Sequence, residues 1–346
     1  MNESTTLTLQ PPALTKPVSK ADFVSGQDVR WCPGCGDYAI LAAVQKALAD
    51  MQVQRQNTVF ISGIGCSSRF PYYMNTYGFH SIHGRAPTLA TGLKIARPEL
   101  SIWVVTGDGD GLSIGGNHLI HTIRRNVDIK ILLFNNQIYG LTKGQYSPTS
   151  EQGKKTKSTP FGTIDYPISP LCVALGVEGS FVARTTDTDL KHMAMVLERA
   201  AHHKGTAFVE IYQNCVIFND GAFKGITEKS VRPDHALFLE HGKPMTFGKD
   251  GSKGIRLDGV HPNIVEATGK SEGLCVHDEK APEPTLAYML SRMRNPDYPV
   301  PFGVFRAIER PTYDGMLVAQ EQQATAKMGA GNLQNLLRGP ETWEVK

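Results

Sequence analysis

Short apolar runs of strand length alternate with stretches of helical spacing through much of the chain. The runs at residues 102–106 and 129–134 are rich in β-branched residues, and between them Leu119, Ile123 and Val127 recur at helical spacing. This order predicts a strand, a helix and a second strand parallel to the first, because parallel neighbours need a long crossover. The pattern continues on both sides of this unit. It predicts an α/β fold in which a mostly parallel sheet is flanked by helices.

The remaining elements follow from the same periodicities. Strands are predicted at residues 58–62, 181–185, 206–212 and 302–308, and helices at residues 38–51, 87–96, 170–175, 285–293 and 313–337. Asp187 is expected to cap the helix that begins near Leu190. Residues 219–280 show little periodicity and predict peripheral loop, with a hairpin-like turn at residues 249–252.

The expected division of the chain has four parts. They are an extended N-terminal arm (1–25), an α/β domain that carries the chemistry (26–218), a loop-rich peripheral region with a late helix and strand (219–310), and a helical tail (311–346).

Polar residues follow both central strands where those strands end. Gly-Asp-Gly-Asp-Gly occupies residues 107–111, and Asn135 and Asn136 follow the second strand. Open α/β sheets bind ligands at this edge. The Asp108 carboxylate, the Asn136 amide oxygen and the backbone carbonyl of Ile138 suit Mg²⁺, and the glycines let a polyphosphate approach the backbone. The pattern predicts a metal-diphosphate site, and the alternative is a pair of ordinary turns between strands.

Four of the six cysteines are expected in loops at the ends of strands or helices: Cys32, Cys35, Cys66 and Cys215. Four thiolates can hold Zn²⁺ or a [4Fe–4S] cluster. Only one CxxC pair is present, and Cys66 lies in the turn that should also face the diphosphate site, so the iron–sulfur interpretation is favoured. Cys172 is expected to be an inert core thiol, and Cys275 has no evident partner.

Bulk composition narrows the class of protein. The chain has 346 residues, 40% of them hydrophobic, and a net charge of +3, which is too mild to indicate nucleic-acid binding. No apolar run approaches the ~20 residues that span a bilayer. The first residues lack the apolar core of a secretory signal, so a cytoplasmic protein is expected. The lysine-rich stretch at residues 147–162 predicts a solvated loop or lid.

GDG followed after twenty-five residues by NN resembles the signature of thiamine diphosphate enzymes. Together with WCPGCG, GIGCSSR, HGRAPTLATG, NNQIYGLTKGQ and the S-P-T-S segment that follows, it makes residues 22–310 resemble the β subunit of the 2-oxoacid:ferredoxin oxidoreductases, most closely the 2-oxoglutarate type. The resemblance implies a thiamine diphosphate-binding fold with Mg²⁺ held by Asp108, Asn136 and Ile138. It implies a [4Fe–4S] cluster on the four loop cysteines. The residues implied to border the diphosphate cofactor are Ile64, Gly65, Cys66, Ser67, Gly109, Asp110, Gly140 and Leu141.

The family resemblance also implies an activity. The expected reaction is the coenzyme A-dependent oxidative decarboxylation of 2-oxoglutarate to succinyl-CoA and CO₂, with electrons passed through the cluster to ferredoxin, or its reverse. No glutamate of this chain lies in a motif suited to the proton relay, so the resemblance assigns that residue to an α subunit. The expected assembly is an αβ heterodimer or its dimer. Alternatives are a pyruvate or other 2-oxoacid enzyme, a non-redox thiamine decarboxylase and a zinc-stabilised binding protein.

Four basic side chains remain open at this point. Arg69 and Arg85 are candidates to meet the distal carboxylate of a dicarboxylic substrate, with a surface or diphosphate-side position as the alternative. His80 and His83 are either hydrogen-bonded structural histidines or polar contacts to the cofactor.

Overall fold

A computed structural model describes residues 16–267, 272–343 and 345. Of the predicted N-terminal arm, residues 1–15 lie outside this range. The strands are β1 (Thr58–Ser62), β2 (Tyr77–His80), β3 (Ser101–Gly107), β4 (Lys130–Asn135), β5 (Phe181–Thr186), β6 (Ala207–Tyr212), β7 (Ala236–Leu239), β8 (Thr246–Phe247), β9 (Lys253–Asp258), β10 (His261–Glu266) and β11 (Val300–Ala307).

The helices alternate with these strands through the first two thirds of the chain. They are α1 (Asp37–Asp50), α2 (Phe70–Tyr73), α3 (Ala86–Ala96), α4 (Asp108–Leu112), α5 (Gly116–Arg125), α6 (Pro170–Gly176), α7 (Leu190–His202), α8 (Lys224–Thr227), α9 (Arg232–His235), α10 (Thr285–Arg292), α11 (Tyr313–Met328) and α12 (Leu333–Arg338). No helix in the described ranges is both long and apolar enough to cross a membrane.

An eight-stranded sheet in the order β2-β1-β3-β4-β6-β5-β11-β7 forms the centre of the molecule. Neighbouring strands are parallel from β2 through to β5, whereas β11 pairs antiparallel with β5 and parallel with β7. The predicted mostly parallel sheet is therefore confirmed. The predicted parallel pairing of the two central strands is confirmed as well, with Val104 opposite Ile131 and Gly107 opposite Phe134.

Two hydrophobic cores cover the two faces of this sheet, because successive strand residues point to opposite sides. On one face Trp103 and Phe134 pack with α1 and α7, and on the other Val104 and Ile131 pack with α3 and α5. Burial on both faces explains why the central strands are continuous apolar runs rather than alternating ones.

Residues 219–280 differ most from the prediction. Where the sequence predicts peripheral loop, the structure has β7, which adds to the main sheet, and a separate three-stranded sheet of β8, β9 and β10. β7 and β8 are short, and β10 is largely exposed, so the hydrophobic alternation that would reveal these strands is weak. The predicted hairpin-like turn does join antiparallel strands, β8 and β9.

Residues 108–112, for which the sequence predicts no separate element, form the short helix α4. Two local predictions were wrong. Asp189 rather than Asp187 caps α7, since its side chain accepts a hydrogen bond from the His192 amide at 3.1 Å. The C-terminal tail, expected to be one helix, divides into α11 and α12 at Gly329, whose φ of 76° favours glycine.

Candidate cofactor sites

Three neighbouring strands end at one edge of the sheet and bring three chain segments together there. Because β1, β3 and β4 are adjacent and parallel, the turn after β1, the helix α4 and the loop after β4 meet around a cavity of about 600 Å³. All eleven residues predicted for the diphosphate and magnesium lie in its lining: Ile64, Gly65, Cys66, Ser67, Asp108, Gly109, Asp110, Asn136, Ile138, Gly140 and Leu141.

Asp108 is a buried carboxylate in the wall of this cavity, with 2% of its surface exposed. Its Oδ2 accepts hydrogen bonds from Ser147 Oγ at 2.6 Å and from Thr149 Oγ1 at 2.5 Å. Burial raises the pKa of Asp108 to about 6, although both hydroxyl donors oppose the rise. A buried negative charge with only neutral donors is stabilised by a nearby cation, so the site fits a divalent metal.

Two residues of the loop after β4 that can offer oxygens line the same cavity as Asp108. The Asn136 Oδ1 atom accepts a hydrogen bond from the Ile138 amide at 3.1 Å, which folds the loop back on itself. Ile138 is buried in the same cavity wall. Asp108, Asn136 and Ile138 therefore line one cavity, and a carboxylate, a side-chain amide oxygen and a backbone carbonyl from these residues would form an oxygen-only donor set that suits Mg²⁺.

Asp110 joins α4 to the turn after β1 and to the turn that precedes α3. Its Oδ1 accepts hydrogen bonds from the Ile64 and Gly84 amides at 3.0 and 2.7 Å and lies 2.7 Å from His83 Nδ1, while Oδ2 accepts one from Thr106 Oγ1. Both carboxylate oxygens are thus engaged by the protein itself. Asp110 lines the cavity but holds the turn after β1 against α4, and His83 both bonds to it and lines the cavity.

Gly109 is required by a close aromatic contact. The Tyr139 hydroxyl donates a hydrogen bond to the Gly109 carbonyl at 2.9 Å. A Cβ atom at Gly109 would lie 2.2 Å from a Tyr139 ring carbon, so no other residue fits without moving the ring.

The four loop cysteines line a second cavity, of about 190 Å³. Gly34, between the first two, has a φ of 82° that lets the CxxC loop turn sharply. The Trp31 indole donates a hydrogen bond to the Cys66 carbonyl at 2.7 Å and ties that loop to the turn after β1. Burial raises the pKa of Cys66 to about 12, so a bound metal is needed to keep this sulfur as a thiolate.

Four cysteine side chains in one cavity can ligate a metal centre through sulfur alone, either a single ion or a cluster. In the described part of the chain, no three His, Cys, Asp or Glu side chains are close enough to hold one metal ion. A zinc site would need its sulfurs roughly 3.8 Å apart, as follows from Zn–S bonds of about 2.3 Å in a tetrahedron. A cubane binds each cysteine to a different iron and spreads them further apart. Cys172 and Cys275 line neither cavity, and the Cys172 thiol lies 3.1 Å from Ser291 Oγ.

The two cavities share a wall made of Cys66, Asn136, Gly140 and Leu141. A Cβ atom at Gly140 would lie 3.5 Å from Cys215 Sγ and 3.6 Å from Cys66 Sγ. The wall at this point is only bare backbone between the oxygen-lined cavity and the sulfurs.

Comparisons with known proteins agree with this geometry. Residues 63–211 match the family model for the thiamine pyrophosphate enzyme C-terminal TPP binding domain. The chain is 51% identical to the 2-oxoglutarate oxidoreductase subunit KorB of Mycobacterium tuberculosis, over 96% of this chain and 90% of that protein. It is 40% identical to the 2-oxoglutarate synthase subunit KorB of Methanocaldococcus jannaschii, over 69% of this chain and 91% of that protein.

The chain belongs to the β-subunit family of the 2-oxoacid:ferredoxin oxidoreductases. A solved structure described as a 2-oxoglutarate:ferredoxin oxidoreductase from Magnetococcus marinus, with 2-oxoglutarate, coenzyme A and succinyl-CoA bound, aligns with a TM-score of 0.75 and 32% identity. The alignment covers 94% of this chain and 96% of that one. The predicted family, the thiamine diphosphate-binding fold and the oxidoreductase class are confirmed.

Sequence reasoning missed three polar residues of this β-subunit site. Ser147 and Thr149 belong to the stretch expected to be a solvated loop, yet both are buried against Asp108. The nearby lysines favoured the prediction of a solvated loop, although the Ser-Pro-Thr-Ser segment at residues 147–150 is one of the motifs that resemble the family. Gln213 follows β6 and contacts both sites, but nothing in the sequence around it indicates this role.

The basic side chains that the sequence left open lie in different positions relative to the two cavities. Arg69 lines the cysteine cavity and donates a hydrogen bond to the Arg30 carbonyl at 3.0 Å, whereas Arg85 lines neither cavity. His80 lies 2.9 Å from the Tyr72 hydroxyl, outside both cavities.

Proposed function

We propose that this chain is the β subunit of a 2-oxoglutarate:ferredoxin oxidoreductase and that it supplies one half of an active site shared with an α subunit. The proposed reaction converts 2-oxoglutarate and coenzyme A to succinyl-CoA and CO₂ while reducing ferredoxin. The observation that carries this proposal is the wall shared by an oxygen-lined cavity and a cysteine-lined cavity. Electron transfer requires such closeness between the two cofactors.

In the larger cavity, Asp108, Asn136 and the Ile138 carbonyl would hold Mg²⁺, which in turn would hold the diphosphate of thiamine diphosphate. When bound, this cofactor supplies the carbanion chemistry needed for decarboxylation of a 2-oxo acid. The residues of this chain bind and orient it. Asp108 provides the buried negative charge, and Asp110 keeps the surrounding turns together.

In the smaller cavity, Cys32, Cys35, Cys66 and Cys215 would hold the [4Fe–4S] cluster. Support comes from the four cysteines that line this cavity and from Cys66, which lines the larger cavity as well. A cluster here would be next to the thiamine site, because Gly140 leaves only backbone between them. The cluster supplies one-electron transfer to ferredoxin.

The half-site proposal is supported by the lining of the larger cavity. No glutamate among the described residues lines it, although the chemistry needs a carboxylate beside the aminopyrimidine ring. We assign this glutamate to the α subunit, so that the active unit is an αβ pair or its dimer. We include a cytoplasmic location in the proposal because thiolate ligands persist in a reducing compartment.

The preference for 2-oxoglutarate is supported by relatives rather than by a positioned arginine. The M. marinus enzyme described above holds 2-oxoglutarate and coenzyme A. Neither Arg69 nor Arg85 lines the larger cavity, so we propose that the α subunit binds the distal carboxylate.

Activity of the chain with and without its partner tests the proposal. We expect the co-purified αβ complex to reduce ferredoxin with 2-oxoglutarate only when coenzyme A is present, and the chain alone to be inactive. Pyruvate assayed on the same complex tests the substrate. Turnover by the isolated chain would refute the half-site, and a higher kcat/KM with pyruvate would refute the substrate choice.

A further inference from the structure

Gln213 is a buried side chain that lines the cysteine cavity and contacts Asn136, a residue of the wall that the two cavities share. It directly follows β6, has 1% of its surface exposed, and its backbone amide donates a hydrogen bond to the Asn135 carbonyl at 2.9 Å. Both its backbone and its side chain are therefore fixed at the sheet edge where the two cavities meet.

The side chain of Gln213 bonds in two directions. Its Oε1 accepts a hydrogen bond from Asn136 Nδ2 at 2.9 Å, on the magnesium side. Its Nε2 donates to Cys35 Sγ at 3.2 Å, on the cysteine side, and to the Asn214 carbonyl at 2.7 Å. An amide group has one oxygen and two N–H donors, so both donors and the oxygen of Gln213 are engaged.

The Asn214 carbonyl determines which way this amide points. A carbonyl oxygen accepts only, so the group 2.7 Å away must be the NH₂ of Gln213. The Gln213 oxygen then faces Asn136, and the NH₂ of Asn136 must turn toward it. This leaves Asn136 Oδ1 on the opposite side of its amide, where it accepts the hydrogen bond from the Ile138 amide and keeps a second lone pair for a metal ion.

We propose that Gln213 is a positioning residue shared by the two cofactor sites, which orients Asn136 Oδ1 for Mg²⁺ and donates an N–H···S hydrogen bond to the Cys35 ligand of the cluster. The inference rests on the proposed function. A donor to a ligand sulfur stabilises the more negatively charged, reduced cluster and so raises its reduction potential. One side chain thereby supports the geometry of the first site and the driving force at the second.

The test uses the co-purified αβ complex with Gln213→Met, which has a similar length but no N–H donor and no amide oxygen. We expect two changes. The apparent Mg²⁺ affinity, measured by titrating Mg²⁺ against thiamine diphosphate binding, falls by about 10 to 100-fold. The reduction potential of the cluster, measured by dye-mediated titration followed by electron paramagnetic resonance, falls by about 59 mV. This corresponds to a tenfold change in the one-electron reduction equilibrium.

Gln45→Met is the matched control. Gln45 is also buried, at 4% exposure, and its amide donates to the Tyr73 carbonyl at 3.2 Å, but it lines neither cavity. This variant should leave both measurements unchanged. Unchanged values in Gln213→Met, a change in only one of them, or equal changes in Gln45→Met would overturn the shared role.

Gln213→Glu separates the contact with Asn136 from the contact with Cys35. It also tests the proposal if the Gln213→Met variant does not assemble. Glutamate keeps an oxygen for Asn136 but has no donor for Cys35, so the potential should fall while Mg²⁺ affinity stays within a few-fold. A potential that does not fall overturns the inference. Failure of the proposed function looks different, because the wild-type complex would then contain no iron–sulfur cluster to titrate.

Discussion

Replacing Asp108 with asparagine should strengthen the fold of the metal-free protein while removing its cofactor binding. Asparagine has nearly the same shape and keeps an oxygen that can accept from Ser147 and Thr149. It lacks the buried charge that we assign to the binding of Mg²⁺. The two effects have opposite signs, and that makes the variant informative.

The size of the stability effect follows from the pKa of Asp108. Burial raises this pKa from 3.8 to about 6. The carboxylate therefore destabilises the metal-free fold above pH 3.8, and this cost reaches its full size above about pH 6. The shift corresponds to about 3 kcal/mol at roughly pH 7.5 and about half as much near pH 5, at 1.36 kcal/mol per pKa unit. The cost vanishes below the unfolded pKa of 3.8, where the group is protonated in both states.

Urea unfolding of the chelator-treated protein at the two pH values measures this difference. The gain in stability of Asp108→Asn over wild type should be about twice as large near pH 7.5 as near pH 5. Calorimetry with Mg²⁺ and thiamine diphosphate should show a loss of affinity of at least about 100-fold. Mutation of a residue that only contacts a metal ligand usually costs about 10 to 100-fold, so a larger loss indicates a ligand. Asp110→Asn is the control and should be destabilised instead, because Asp110 accepts four hydrogen bonds. The reasoning would be refuted if Asp108→Asn had the same free energy of unfolding as wild type at both pH values and bound the cofactors with unchanged affinity.

Two further predictions address the larger cavity and the buried ion pairs of Asp128, which precedes β4. Gly109→Ala should displace Tyr139, whose ring lies 2.2 Å from the new Cβ position, and calorimetry should show weaker thiamine diphosphate binding in a folded protein. Asp128→Asn should cost about 3–5 kcal/mol in urea unfolding, because Lys94 and Lys130 would lose the carboxylate that lies 3.2 and 2.9 Å from them. Burial alone would raise the pKa of Asp128, but the two lysines lower it to about 2, so its contribution is present above pH 3.8 and is lost as pH falls toward 2. Unchanged cofactor binding in Gly109→Ala, or unchanged stability in Asp128→Asn, would contradict these expectations.

The central unit could be predicted from the sequence because several signals agree there. The strands β3 and β4 are long apolar runs buried on both faces, and Leu119 and Ile123 mark the buried side of the crossover helix. The residue types at the strand ends then indicate the chemistry, since parallel strands place their carboxyl ends at one edge. These features depend on local periodicity and on a general rule of topology.

Other features depend on contacts that no local pattern encodes. Ser147 and Thr149 are polar residues in a polar stretch, and only the fold places them against Asp108. The roles of Asp110 and Gln213 likewise require knowing which distant backbone groups surround them. The strand β7 was missed because its four residues join the sheet edge beside β11, a pairing between segments about sixty residues apart in the chain.

The metal content of the co-purified complex tests the central claim most directly. Iron, zinc and magnesium should be quantified in wild type, in Cys66→Ser and in Cys172→Ser, a cysteine that lines neither cavity. The account predicts about four iron atoms per β chain, as one [4Fe–4S] cluster requires, in wild type and Cys172→Ser, with a large loss in Cys66→Ser. Zinc in place of iron, or full iron content in Cys66→Ser, would contradict it.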